Sequence, residues 1–320
     1  MSPSRGLVVA LSGGVGGAKL ALGLSRVLPP EDLLVIANTG DDFEHLGLSI
    51  SPDIDTLMYT LSGLANQELG WGRTDETWSF METIAALGGE NWFRLGDRDL
   101  AVHIERTRRL RAGDTLSTVT ADFCRRLGVL PRVLPMTDDR VRTRVLTEDG
   151  WIDFQEYFVQ RQCRPVVRDL AFEGVGQATA QPDFLAALAH PSLRAVVVCP
   201  SNPFISIEPI LALPGVRAAL SACQAPIIAV SPIIGGRAVK GPTAKMMTEL
   251  GFNPSAAGVA ARYGDLLDGY VLDEIDAGSV QDVQGVPVFT TQTLMNTLAD
   301  RENLARFVLE AADRIGRKAG

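Results

Sequence analysis

The opening of this 320-residue chain constrains its fold more than anything that follows. Residues 7–11 are an unbroken apolar run that stops at Ser12-Gly13-Gly14-Val15-Gly16-Gly17-Ala18-Lys19. A short apolar run bounded by glycine reads as a buried strand. Residues 18–28 then carry apolar side chains at helical spacing and stop at Pro29-Pro30. Residues 33–37 are a second apolar run, ending in Asn38-Thr39-Gly40-Asp41-Asp42. Strand, glycine turn, helix, strand is how a parallel doubly wound sheet begins.

The second half repeats the rhythm. Residues 195–199, 226–230, 269–272 and 286–290 read as strands, residues from about 243 as a helix, and residues 294–315 as a closing amphipathic helix. Between the halves, residues 57–130 are rich in helix formers and arginine, with no clear strand. Residues 141–159 alternate around Glu148-Asp149-Gly150, a hairpin signal. The expected architecture is therefore α/β. Residues 1–60 and 165–320 form a Rossmann-like, doubly wound, mostly parallel sheet. Residues 61–164 form a mainly helical insertion plus a β-hairpin.

Composition excludes several function classes. The chain is 46% hydrophobic, enough for a sizeable core, and its formal net charge is -8. A nucleic-acid-binding module or a polybasic membrane surface would need a basic excess. No 18-residue apolar run marks a membrane span, and the N-terminal residues lack the features of a signal peptide. Cys124, Cys163, Cys199 and Cys223 form no C-x-x-C pair. They read as reduced thiols, which fits the cytoplasm. His45, His103 and His190 lack the spacing of a zinc site.

The glycine turn after the first strand is where phosphate chemistry is expected. Glycine lets backbone N–H groups approach an anion, and the following helix N-terminus adds partial positive charge. The loop departs from a Walker loop at Ala18 and Leu20 and lacks the last glycine of G-x-G-x-x-G. Neither an ATPase nor a dinucleotide enzyme is specifically indicated, and a plain βα turn is the competing reading. The chain has four lysines; Lys19 sits at this turn, while Lys240 and Lys245 flank Gly241-Pro242-Thr243-Ala244. Two strand ends supplying glycine plus a cation suggest a diphosphate bridged across the sheet crevice.

Acidic pairs follow the second strand. Asp41-Asp42 and Asp53-Ile54-Asp55 stand close together, and Gly96-Asp97-Arg98-Asp99 lies in the insertion. Mg²⁺ takes one or two carboxylates plus substrate phosphates, so the cluster favours a metal site. For a single aspartate a helix cap weighs equally, and Asp53 after Pro52 suits the N-cap of a helix over residues 56–64. Asn38 and Asn202 each end a strand and suit ligand or loop-backbone contact alike. His103 reads as packing. Trp71, Trp78, Trp92 and Phe93 lie in the insertion; the seven-residue spacing of Trp71 and Trp78 favours a packed helix face over a flat wall for a planar ring.

Taken together, Ser12–Lys19, Asn38-Thr-Gly-Asp-Asp, Ser51-Pro-Asp-Ile-Asp-Thr, Gly70-Trp-Gly-Arg-Thr-Asp-Glu-Thr-Trp and Leu95-Gly-Asp-Arg-Asp-Leu-Ala resemble the CofD family. Leu134-Pro-Met-Thr-Asp-Asp, Phe154-Gln-Glu, Pro200-Ser-Asn-Pro and Ser231-Pro-Ile-Ile-Gly extend the match in order along the chain. This is the 2-phospho-L-lactate transferase family of coenzyme F-420 biosynthesis, including its phosphoenolpyruvate-type members. The resemblance implies transfer of a phospholactyl, phosphoenolpyruvyl or phosphoglyceryl group from a guanosine-diphospho donor to the ribityl hydroxyl of the deazaflavin Fo, releasing GMP. It implies Mg²⁺ held by Asp41, Asp42, Asp53 and Asp55, with Asp42, Asp53 and Asp55 as catalytic groups. Gly13, Gly14, Gly16, Gly17 and Lys19 would line the donor phosphate, with Asn38, Thr39 and Thr56 beside them. Ser201, Asn202, Ser231 and Gly235 would receive the guanosine side, and Gly96, Asp97, Arg98 and Asp99 would help hold Fo. A homodimer is a further expectation from the family. The alternative is a non-catalytic nucleotide-sugar-binding regulator of the same superfamily. Against it stand the tryptophan-rich segment 70–78 and the Gly-Asp-Arg-Asp motif, which that branch lacks. Cys199 departs from the small residue usual before Pro-Ser-Asn-Pro.

Overall fold

In the computed structural model, which describes residues 6–66 and 70–316, a seven-stranded parallel sheet forms the centre of the molecule. Its strands are β1 (Leu7–Ser12), β2 (Leu33–Ala37), β3 (Arg132–Pro135), β4 (Leu193–Val198), β5 (Ile227–Val230), β6 (Gly269–Asp273) and β7 (Val288–Thr291). Their spatial order is β7-β6-β5-β4-β1-β2-β3. From β1 the chain winds outward through β2 to β3, then returns to lay β4 on the other flank of β1. The strand order therefore reverses between β1 and β4, and a crevice opens at their carboxyl ends.

Alternation along the strands explains the two cores. Val8 and Ala10 of β1 face one layer while Val9 and Leu11 face the other. The first layer is α1 (Gly14–Val27), α2 (Pro52–Leu61) and the closing helix Leu298–Ile315. It is filled by Leu20, Leu24, Ile54, Leu57, Leu304 and Val308. The α1 and closing-helix backbones nearly touch: a Cβ on Gly23 would lie 2.1 Å from the carbonyl oxygen of Arg301. The second layer buries Phe184, Leu188, Val216, Leu220 and Val259 against the opposite face.

The intervening segment contains α2, then α3 (Ser79–Ala86), α4 (Asp97–Arg111) and α5 (Leu116–Arg126); its residues 67–69 lie outside the described residues. It returns to the sheet sooner than its composition suggests. Arg132–Pro135, inside the stretch read as insertion, pairs in parallel with β2. The expected hairpin forms from Arg142–Thr147 and Gly150–Asp153, shorter than the alternation implied. It gains a third strand, Asp169–Glu173, from the stretch read as core.

Boundaries shift in two places that bear on function. The first helix begins at Gly14, so Gly14–Gly17 form its first turn, with Gly13 at the N-cap. The second begins at Pro52, which places Asp53 inside its first turn; Ser51 occupies the N-cap, so the capping role expected of Asp53 is not the one it plays. Among the described residues no single helix is long and apolar enough to cross a membrane. All four cysteines are free thiols.

Candidate active site

A cavity of about 720 Å³ occupies the crevice above β1, β2, β4 and β5. The sheet supplies one side and the insertion closes the other. On the sheet side, the turn after β1 is fixed by contact with the turn after β4. A Cβ on Gly13 would lie 2.6 Å from the Ser206 Cβ, and one on Gly16 only 2.3 Å from the Pro200 carbonyl oxygen. These glycines are required by backbone proximity. The Gly13 N–H donates to Ser201 Oγ at 3.3 Å, and the Gly14 N–H donates to Asp53 Oδ1 at 2.6 Å. A carboxylate thus already occupies part of the helix N-terminus, where an anion is stabilised.

Asn38 organises the acidic cluster. Its amide nitrogen lies 3.1 Å from Asp41 Oδ1, 2.9 Å from Asp53 Oδ2 and 3.1 Å from the Ile205 carbonyl oxygen, while its Oδ1 accepts from the Gly40 N–H. Two amide protons are shared among three acceptors. Burial pushes the Asp41 carboxyl well above its usual range, and the charge of Asp53 adds to this. Burial raises Asp53 to about 6 against the hydrogen bonds from Asn38 and Gly14. Asp42 is raised to about 7 by burial, which Arg142, Ser51 and Arg106 only partly relieve. These groups are short of positive charge. Oxygen ligands crowded in this way suit a hard divalent cation, so Asp41 and Asp53 on the cavity wall fit Mg²⁺. Asp42 does not line the cavity; it accepts from Ser51 Oγ at 2.7 Å.

Asp55 is satisfied differently. It forms a bidentate pair with the buried guanidinium of Arg106 from α4, whose Nη1 lies 3.1 Å from Asp55 Oδ2. His103, one turn earlier on α4, has Nδ1 3.7 Å from Asp55 Oδ2 and Nε2 3.2 Å from Asp99 Oδ2. Tyr59 of α2 donates to Asp99 Oδ1 at 2.5 Å. Burial opposes ionisation of Asp99, yet hydrogen bonds from His103 and Tyr59 outweigh it and hold the carboxyl below its usual range. Asp55, Asp99 and His103 bring one ligand atom each within 4.8 Å of one another. His103, read from sequence as packing, is thus part of the site. Arg106 and Tyr59, which the sequence reading passed over, hold α2 and α4 together beneath it.

Of the expected site residues, Gly13, Gly14, Gly16, Lys19, Asp41, Asp53, Asp55, Thr56, Asp99, Ser201, Asn202 and Ser231 line the cavity. Asn38 stands directly behind its wall. Gly17 is packed against Ser12 and Ser201, where a Cβ would lie 2.4 Å from Ser12 Oγ. Thr39 is buried away from the opening, and the Gly235 N–H donates to Asp276. Gly96, Asp97 and Arg98 build the start of α4. Asp97 accepts from Thr77, Ser79 and Phe80, and the Glu76 carboxylate accepts from the Arg98 and Asp99 N–H groups. From that motif Asp99 reaches the cavity.

The insertion side is aromatic. Trp71, Trp92, Phe93, Phe154 and Phe158 line it. Trp71 and Trp78 sit on no shared helix face: Trp71 lies in a loop and Trp78 just precedes α3. Their rings meet edge-on at 6.2 Å, and the Arg94 guanidinium lies 4.1 Å over Trp78. The cations divide as well. Lys240 lines the cavity and Lys19 donates to the Met295 carbonyl oxygen at 2.9 Å. Lys245 turns away to pair with Glu249, so it does not share in the cation pair expected at the glycine turns.

The family model described as 2-phospho-L-lactate transferase CofD matches residues 8–305. The chain belongs to the CofD family. It is 43% identical to a phosphoenolpyruvate transferase of Streptomyces griseus, covering 96% of this chain and 99% of that protein. It is 39% identical to a 2-phospho-L-lactate transferase of Methanopyrus kandleri, covering 96% and 98%. The crystal structure of a upf0052 family member from Bacillus halodurans shares the fold, with TM-score 0.64 and 13% identity over 97% of this chain and 99% of that one. As a CofD member the chain is a transferase of the F-420 biosynthesis pathway acting on small molecules.

Proposed function

We propose that this CofD member transfers a phosphorylated three-carbon acid from a guanosine-diphospho donor to the ribityl hydroxyl of Fo, releasing GMP. The observation that carries the reading is the division of one cavity into two chemically distinct sides. Glycine turns and buried carboxylates short of positive charge suit a metal-bound diphosphate, and an aromatic wall suits a planar heterocycle. The identity to the Streptomyces griseus relative makes the phosphoenolpyruvyl group the first donor to test, with phospholactyl and phosphoglyceryl beside it.

Phosphoryl transfer of this kind is mostly positioning and charge neutralisation. Asp41 and Asp53 would hold Mg²⁺, which supplies charge neutralisation on the donor diphosphate. Ser201, Asn202 and Ser231 orient the donor across the sheet crevice. Asp55, fixed by Arg106, and Asp99, fixed by Tyr59 and His103, present acceptor oxygens to the incoming hydroxyl. The hydroxyl oxygen bonds to the phosphorus nearer the three-carbon acid. The bond from that phosphorus to the bridging oxygen breaks, and the oxygen leaves with GMP. The hydroxyl proton passes to a carboxylate.

The test is incubation of the purified protein with Fo and each guanylylated three-carbon donor, with and without Mg²⁺, followed by mass spectrometry. Equal amounts of phosphodiester-linked deazaflavin and GMP are expected, with Mg²⁺ alone. No product from any of the three donors at full Mg²⁺ would overturn the reading.

A further inference from the structure

We propose that Lys19 and Lys240 form a carboxylate subsite that holds the acid end of the donor, apart from the diphosphate. The inference rests on the donor class proposed above and says where its second anion goes. Both lysines line the cavity that holds the aspartates. Lys19 Nζ donates to a backbone carbonyl, that of Met295, and the charges it feels are those of Arg301 and Lys240. Among the described residues neither lysine is ion-paired with a carboxylate. Arg106, on the acidic side, is already taken by Asp55. The cavity wall thus carries two lysines that no carboxylate among the described residues neutralises, besides its aspartates.

Position separates these lysines from the phosphate turn. Lys19 is five residues past Gly14 on α1, about 7.5 Å along the helix axis. Its ammonium is tied to the loop after β7, where Thr293, Leu294 and Met295 line the cavity. Lys240 comes from the opposite loop and its Nζ lies beneath the insertion: a Cβ on Gly70 would fall 1.9 Å from it. The two lysines therefore converge where the insertion's Gly70–Gly72 segment crosses the sheet side. A smaller hollow bounded by Lys19, Gly70, Trp71, Gly72 and Arg301 continues from there.

The donor chemistry requires such a place. Its diphosphate is matched by glycine backbone and by carboxylates that would bring a divalent cation. Its carboxylate, common to phospholactate, phosphoenolpyruvate and phosphoglycerate, would be repelled by Asp41, Asp53 and Asp55. Left unpaired in a largely apolar cavity it would also bear a desolvation cost. Two ammonium groups with no carboxylate partner among the described residues resolve both problems. They select for the acid as a class without discriminating among the three.

The experiment is titration calorimetry with Mg²⁺ and without Fo. It compares lactyl-2-diphospho-5'-guanosine with an analogue in which an ethyl group replaces the lactyl group. Wild-type protein is expected to bind the acid roughly tenfold more tightly than the analogue. Lys240→Met, an exposed position, is expected to lose that advantage while binding the analogue as before; Lys19→Met tests the second cation. Equal weakening of both ligands would assign the lysines to the diphosphate and overturn the proposal. Wild-type protein that binds both ligands equally sinks the subsite alone, whereas one that binds neither removes the proposed donor and the subsite with it.

Discussion

The two sides of the cavity are built on different principles. The sheet side is held by backbone contact: Gly13, Gly16 and Gly17 have no room for a side chain, and Asn38, Asp53 and Ser201 are buried behind them. The insertion side is held by side chains. Trp71 is 42% exposed, and α4 is joined to α2 chiefly through the Asp55–Arg106 and Tyr59–Asp99 contacts. A rigid side and an adjustable side suit a bisubstrate site in which a charged donor needs exact coordination and a planar acceptor needs a wall. If the contrast is real, substitutions on the two sides should fail in different ways.

The largest effect is expected where the sides join. Arg106→Met strands Asp55 as a buried charge, which should cost about 3–5 kcal/mol in urea denaturation. The double variant with Asp55→Asn should recover much of that loss. If Arg106→Met alone is as stable as wild type, the junction does not depend on this pair.

The acidic cluster comes next. Asp53→Asn should lower turnover by on the order of 10²–10³-fold with the fold retained. Asp42→Asn should lower it far less, because Asp42 lies off the cavity. Equal losses would show that lining the cavity is not what matters. The same carboxylates set a pH dependence. Their folded-state pKa values are raised, to about 6 for Asp53 and about 7 for Asp42. Their contribution to stability is therefore full below the unfolded carboxyl value of about 4 and is lost as pH rises through 6 to 7. Metal-free protein should melt lower at about pH 8 than at about pH 5, and Mg²⁺ should restore stability at the higher pH. Melting curves that coincide, with no response to Mg²⁺, would remove the cation from this cluster.

A smaller loss is expected at the turn itself. Gly16→Ala drives a methyl group into the Pro200 carbonyl and should destabilise by about 1–3 kcal/mol, with weaker donor binding and unchanged Fo binding. Weakened binding of both substrates would mean that the two sides are not independent.

The same division explains what the sequence made legible. Apolar runs of four or five residues located β1, β2, β4, β5, β6 and β7; β1, β2, β5 and β6 are buried along nearly their whole length, and strands buried on both faces leave that pattern. The edge strand β3 carries exposed Arg132 and ends in Pro135, so its four residues show no such run. On the sheet side, chemistry follows strand ends, and Asp41, Asp53 and Ser201 could be found from them. On the insertion side, loops and a packed helix carry the chemistry. Arg106 sits among Arg108, Arg109 and Arg111, and burial distinguishes it from them. One signal was available: Asp99, His103 and Arg106 fall at i, i+4 and i+7, a single face of α4. Helix capping hid the rest, since Gly96, Asp97 and Arg98 form a motif whose work is to start that helix.

The smallest predicted effect sharpens the contrast most. Trp71→Ala removes a ring that meets Trp78 at its edge and is 42% exposed, so stability should change by less than about 1 kcal/mol. If the ring is a wall for the deazaflavin, the KM for Fo should rise about fivefold, as expected for loss of one aromatic contact of about 1 kcal/mol. The KM for the donor should not move. A shift in donor KM with none in Fo KM would place the donor against the aromatic side and exchange the two halves of the site. A large fall in stability would show instead that Trp71 holds the insertion together, making that side as dependent on packing as the sheet side is.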